Sequence, residues 1–255
     1  MFKLYYVPGT CALASHIALQ EAGAAYTTER LDFKSNQQNS PEYLAINPKG
    51  RVPSLVTERG ILTETPAMLA FIAQSFPQAK LAPLDDAFEF ARVQAFNSYL
   101  CSTVHVAHAH KGRGYRWASE EASFADMKGM VPKTMAACFS LIERAMLKGP
   151  WVMGEQYTIC DPYLFTLAGW LQGDSVDLAG CRGWPITCSG WRIGRRCKRC
   201  WRTSRARLSP ASSRRTPGPI RRDEDEKGSA RCLPWIHLAT TDTCCHGSRR
   251  SPGRR

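Results

Sequence analysis

The 255-residue chain has no apolar run approaching the roughly 18 residues that a membrane-spanning helix needs. Its opening, Met1-Phe-Lys-Leu-Tyr-Tyr6, has neither the basic region nor the long apolar stretch of a secretory leader. These absences lead to the expectation of a soluble, cytoplasmic protein without membrane attachment, whose scattered cysteines stay reduced. Metal ligands are sparse as well. His105 and His108 stand at i, i+3, so a two-histidine site is geometrically conceivable, but His110 falls on another face and no carboxylate or cysteine nearby completes a set. No metal is therefore expected. Acidic residues become scarce beyond residue 179: the last 76 positions hold 5 Asp+Glu against 19 Lys+Arg, whereas residues 1–179 hold 17 against 15.

What is present begins with Asn47-Pro-Lys-Gly-Arg-Val-Pro-Ser-Leu55, followed by Glu64-Thr65. Pro53 cannot donate to a sheet ladder, so Val-Pro at the opening of a strand implies an edge or a special turn. A cis Val52-Pro53 bond would turn the Val52 amide and carbonyl outward, where an extended ligand could add as a strand. Glu64 and Thr65 precede Pro66 and the apolar run Ala67, Met68, Leu69, Phe71, Ile72, which reads as a helix start and hence a place for a carboxylate.

Residues 3–7 are β-prone, Pro8-Gly9-Thr10 is a turn signal, and Leu13 and Ile17 fall at helical spacing up to Gly23. Cys11 thus sits at a helix N-terminus, where the dipole is expected to lower its thiol pKa from about 8.5 toward neutrality. Ala12 offers that thiolate no hydroxyl, leaving Thr10 as the nearest candidate. Residues 25–32 read as a second strand, Ser40-Pro-Glu-Tyr-Leu44 as a short helix, and Thr57-Glu-Arg-Gly60 as a hairpin turn.

With these motifs the sequence resembles the glutathione transferase family, and Tyr5-Tyr-Val-Pro-Gly-Thr-Cys11 resembles its bacterial beta class. The resemblance covers about residues 1–179. It implies an α/β thioredoxin-like N-terminal domain over residues 1–78 and an all-α helical domain over 87–179. It also implies that Val52, before a cis Pro53, pairs with the cysteinyl backbone of glutathione, and that Glu64 and Thr65 hold its γ-glutamyl end. Cys11 would contact the glutathione sulfur and could form a mixed disulfide with it. Lys34 would lie near the glycyl carboxylate, and Ser102 and His105 would line the cleft near Cys11. A homodimer is the family's usual state.

From about Ala87 strand signals give way to helical spacing at Phe88, Ala91, Ala95, Tyr99 and Leu100, and again from Met127 to Ile142, with residues 77–86 as linker. Thr158-Ile-Cys-Asp161 has the form of a capping box, with Asp161 reaching back to the Thr158 N–H. In the family this box starts the central helix and is structural; losing either side chain should cost about 1 kcal/mol. Cys101, Cys138 and Cys160 read as core residues.

The segment 180–255 is rich in Arg, Ser, Pro, Gly, Cys and Trp, without apolar periodicity. Three readings compete for it. It could bind nucleic acid through phosphate contacts and stacking. Cys197 and Cys200 could bind zinc with Cys181, Cys188, His237 or His246, though the second ligand pair lacks the usual spacing. The favoured reading is a frameshift near residue 180. A shifted frame allows an amphipathic helix followed by Arg-Pro-Ala-Val, with alanines where the last G of the Trp184, Trp191 and Trp201 codons meets the next codon. The helical domain would then be incomplete at its end, with several kcal/mol of stability lost.

The expected function is glutathione transfer to small electrophiles, with thiol-disulfide or peroxidase activity through Cys11 as a further possibility. The alternatives are a non-catalytic glutathione-binding protein of the same fold, activity lost through the altered C-terminus, and nucleic-acid binding by the tail. The partners expected are glutathione and an electrophile, and nucleic acid is disfavoured.

Overall fold

The pleat of Phe2–Tyr6 (β1) sends Leu4 to one face of a sheet and Tyr5 to the other, and both are buried. In this computed structural model residues 1–177 are described. All of them belong to one compact unit. The basic segment, its zinc and frameshift readings, and the last residues of the helical half lie outside the described residues.

Four strands, β1, β2 (Tyr26–Arg30), β3 (Ser54–Thr57) and β4 (Gly60–Thr63), stand in the order β2-β1-β3-β4. The β1–β2 pair is parallel and the other two pairs are antiparallel. A parallel pair needs a crossover, which α1 (Ala12–Glu21) supplies. Gly23, at φ 70, ends α1, with Ala24 N–H bonded to the Leu19 carbonyl and Gly23 N–H to that of Gln20. Such a reversal needs the left-handed region that glycine enters without cost. Ser40 caps the short α2 (Pro41–Leu44) through Tyr43 N–H, and Thr65–Ser75 forms α3.

The sheet has two apolar faces. Leu4 and Leu55 join the main core with Ala14, Ala18 and Leu19 of α1 and Met68, Leu69 and Ile72 of α3. Tyr5, Leu31, Tyr43 and Val52 make a smaller cluster on the other face. Each fully buried Leu or Ile contributes about 1.5–3 kcal/mol.

The helical half begins at α4 (Ala87–Tyr99), whose N-cap Asp86 accepts from Phe88 and Glu89 N–H. It passes through a π-turn, Leu100–Val104, into α5 (His105–Arg113), and then α6 (Glu121–Leu141) follows. Every residue of α7 (Cys160–Ala168) is buried, and α7 packs on both α1 and α4. The capping box takes its expected form. Thr158 N–H donates to Asp161 Oδ2 at 2.7 Å, Cys160 N–H donates to Thr158 Oγ1 at 3.3 Å, and Val152 N–H donates to Asp161 Oδ1 at 2.9 Å. Asp161 thereby ties a loop to the helix as well as capping it. The molecule is a thioredoxin-like α/β half followed by an all-α half. Among the described residues no helix is long and apolar enough to cross a membrane.

Candidate functional site

The chain enters β3 through a cis Val52-Pro53 bond. Of the two alternatives, an edge or a special turn, the structure has the turn: β3 is internal, flanked by β1 and β4. Pro53 is tolerated because it precedes the ladder, whose last β1 pair is Tyr5↔Ser54. Tyr43 Oη and Asn47 Nδ2 both donate to the Arg51 carbonyl at 2.7 Å, which fixes the approach to Val52. The Val52 carbonyl accepts from Cys11 Sγ at 3.6 Å, and its N–H has no partner among the described residues.

Glu64 and Thr65 open α3, with Glu64 at φ 70, ψ 120. A non-glycine residue there costs on the order of 1–3 kcal/mol and marks a place where geometry outranks stability. The Glu64 carboxylate accepts from Lys49 Nζ at 2.5 Å, and Lys49 also reaches Thr63 Oγ1 at 2.7 Å. Lys49 belongs to the Asn47-to-Leu55 run yet was not singled out from sequence, because a lysine in a turn reads as a solvated charge. Lys34 lies in an exposed loop where its own N–H bonds Asp32 Oδ1 at 2.9 Å.

Cys11 takes the N-cap position of α1, as its sequence context implies. In this structure the surroundings of its thiol push in the direction opposite to the sequence expectation. Burial pushes Cys11 up to about 11, a nearby Thr65 hydroxyl pulls the other way more weakly, and the Cys101 sulfur adds to the rise. At 8% exposure, lost hydration is the largest influence on the thiol. The Thr10 hydroxyl donates to the Val7 carbonyl at 2.7 Å and accepts from Ala12 N–H at 3.4 Å, so it secures the turn. The hydroxyl beside the sulfur belongs to Thr65, and Cys101, read as plain core, proves to be a neighbour.

On the helical side, Ser102 is exposed in the π-turn, its hydroxyl donating to the Ser98 carbonyl at 2.8 Å. His105 is driven down to about 4 by burial first, then by His108, Arg113, Arg51 and Arg116, so its ring is neutral at neutral pH. It meets the Trp170 indole edge-on at 5.0 Å. Trp170 Nε1 donates to the Gly9 carbonyl at 2.9 Å, joining the helical half to the Cys11 turn. No local signal in the sequence announces a contact between residues 161 positions apart. Tyr163, fully buried on α7, has Cys11 and Cys101 as neighbours, and burial pushes its phenol well above the usual range. Among the described residues no group of three or more His, Cys, Asp or Glu side chains is placed to hold a metal ion.

The geometry is a strand end with a free amide, a helix N-terminus and a buried thiol meeting around the Cys11 sulfur, and the comparisons bear on it directly. Residues 1–74 match the family model described as glutathione S-transferase, N-terminal domain. Glutathione S-transferase GstA of Escherichia coli O157:H7 is 32% identical over 181 residues, 70% of this chain and 86% of the relative. A glutathione transferase homolog from Sulfitobacter, solved with bound glutathione, is 50% identical with a TM-score of 0.68, over 71% of this chain and 86% of that one. The beta-class enzyme of Sphingomonas chungbukensis is 28% identical with a TM-score of 0.67, over 80% and 98%. With the identity and the coverage in agreement, the chain belongs to the glutathione S-transferase family.

Proposed function

We propose that this chain transfers the thiol of glutathione to small electrophiles. The observation that carries the reading is the Val52 turn: a free amide beside cis Pro53, whose carbonyl meets the Cys11 sulfur, with the Thr65 hydroxyl at the start of α3 reaching the same sulfur. Glutathione would add along Val52 as a short antiparallel strand. Its γ-glutamyl carboxylate would meet the α3 N-terminus and Thr65, its ammonium the Glu64 carboxylate, and its glycyl carboxylate Lys34. Ser102 and His105 would face the bound sulfur from the helical side.

The chemistry is a nucleophilic attack. The glutathione sulfur donates an electron pair to an electrophilic carbon, a C–S bond forms, and a leaving group departs with its own electron pair. The thiol proton is lost to solvent before attack. Because burial holds Cys11 up at about 11, it is protonated at neutral pH, and its S–H would turn from the Val52 carbonyl to donate to the glutathione thiolate. This favours conjugation over a mixed-disulfide route, which needs a Cys11 thiolate. Family membership supports a homodimer, a cytoplasmic setting and a detoxifying role.

Retention on immobilised glutathione, followed by conjugation of 1-chloro-2,4-dinitrobenzene, tests the reading. Binding with turnover is the expected result. Binding without turnover across several electrophiles would instead favour a non-catalytic glutathione-binding protein, and no binding would overturn both.

A further inference from the structure

Behind the cleft, the helical half holds a polar cluster that the glutathione site does not use. Asp174 is 2% exposed. Its Oδ2 lies 2.7 Å from His108 Nδ1 and its Oδ1 3.2 Å from Lys111 Nζ, and Lys111 also bonds the Gly173 carbonyl. With a carboxylate as acceptor, His108 Nδ1 is the donor, which holds the ring in one orientation. His108 and Lys111 stand three residues apart on one face of α5, so a single carboxylate bridges both.

The consequence falls on Trp170. Its indole stacks on the His108 ring, with centroids 4.2 Å apart and planes at 24°, while His105 meets it edge-on. So oriented, its Nε1–H reaches the carbonyl of Gly9, which sits at φ 78 in the turn two residues before Cys11. Apolar side chains would join residues 170–174 to α5 without the desolvation cost of a buried carboxylate. They would not fix the angle of one ring.

We propose that Asp174, with His108 and Lys111, is a positioning strut that orients Trp170 so that its indole N–H pins the Gly9 carbonyl and sets how far the Cys11 thiol opens toward the cleft. Its consequence for transfer rests on the reading that Cys11 faces the glutathione sulfur; its test does not. Peptide-resolved alkylation of the full chain by iodoacetamide reads Cys11 directly. Cys160, at 0% exposure on α7, reports global opening in the same sample. Trp170→Phe keeps an aromatic ring and removes the donor, whereas Asp174→Ala removes the strut.

In both variants Cys11 should be alkylated about fivefold faster, the change expected from losing one hydrogen bond, with Cys160 unchanged. An unchanged Cys11 rate in either variant overturns the proposal. A parallel rise at Cys160 overturns it too, since that marks residues holding the whole domain rather than the turn. A parent chain that conjugates glutathione while Cys11 is indifferent to both substitutions sinks the strut alone. Release of Cys11 in a chain that does not bind glutathione sinks the proposed function alone.

Discussion

The two walls of the cleft are built in opposite ways. The sheet wall offers mostly main chain, namely the Val52 amide and the first N–H groups of α3, placed by residues close in sequence. The helical wall offers side chains held across long separations, with Trp170 bonded to Gly9 and braced from behind by the His108–Asp174 pair. Main chain can recognise one peptide-like ligand whatever the surrounding side chains, so that wall suits an invariant co-substrate. A wall of His105, Trp170 and neighbouring arginines changes character with every substitution, which suits a variable second substrate. The contrast implies that damage to the helical half should act first through stability and orientation, and damage to the sheet half through glutathione affinity.

The comparison breaks most severely at Asp161. Its carboxylate accepts from the buried N–H groups of both Val152 and Thr158. Asp161→Ala should therefore cost about 3 kcal/mol or more, since two buried donors lose their acceptor. Thr158→Ala should cost nearer 1 kcal/mol, the value of one cap. Urea midpoints of the two variants check the ratio. Equal small losses would mean that the box is not what holds α7.

Acid sharpens the same contrast with a somewhat smaller effect. Burial lowers His16 to about 4, and burial with nearby cations does the same to His105. As pH falls below about 6.5 the unfolded chain binds protons there that the folded chain refuses, so stability is lost down to about pH 4. Asp161 works the other way. Burial raises it to about 6, so the folded state takes up its proton first and gains stability as pH falls from about 6 toward 4. Two histidines against one carboxylate leave a net loss on acidification. Unfolding at pH 7 and pH 4.5 should show it, and His16→Phe, which removes a ring whose Nδ1 has no partner among the described residues, should flatten it. Stability that rises below pH 6 would show Asp161 dominating.

The difference between the walls also decides how much could be read in advance. The strand-turn-helix at residues 2–21, the Val52-Pro53 turn, the start of α3 and the Thr158 box are written in proline, glycine and capping residues next to the elements they govern. For Cys11 a helix N-terminus is visible in sequence while burial is not, and burial is the larger influence in the structure. Nearness in sequence points to Thr10 as the hydroxyl by the thiol, but nearness in space brings that of Thr65, 54 residues away. Lys49, Trp170 and Asp174 were missed because each acts through a partner that no local pattern reveals.

On the sheet wall, Glu64→Gln keeps the shape and removes the charge that would meet the γ-glutamyl ammonium and that now pairs with Lys49. The KM for glutathione should rise about tenfold with kcat little changed, consistent with a charge-assisted hydrogen bond worth roughly 1.5 kcal/mol. A fall in kcat at constant KM would move Glu64 from binding to chemistry. Cys11→Ala should have the smallest effect. If the thiol stays protonated and only donates to the glutathione sulfur, its loss removes a weak S–H donor, and kcat/KM for conjugation should drop only a few-fold, on the order of 1 kcal/mol. The pH at which conjugation reaches half its plateau should rise slightly in the variant, because one group stabilising the glutathione thiolate is gone. A loss of several hundredfold would instead require Cys11 as a nucleophile, and its thiol would then have to ionise far more readily than its burial beside Val52 allows.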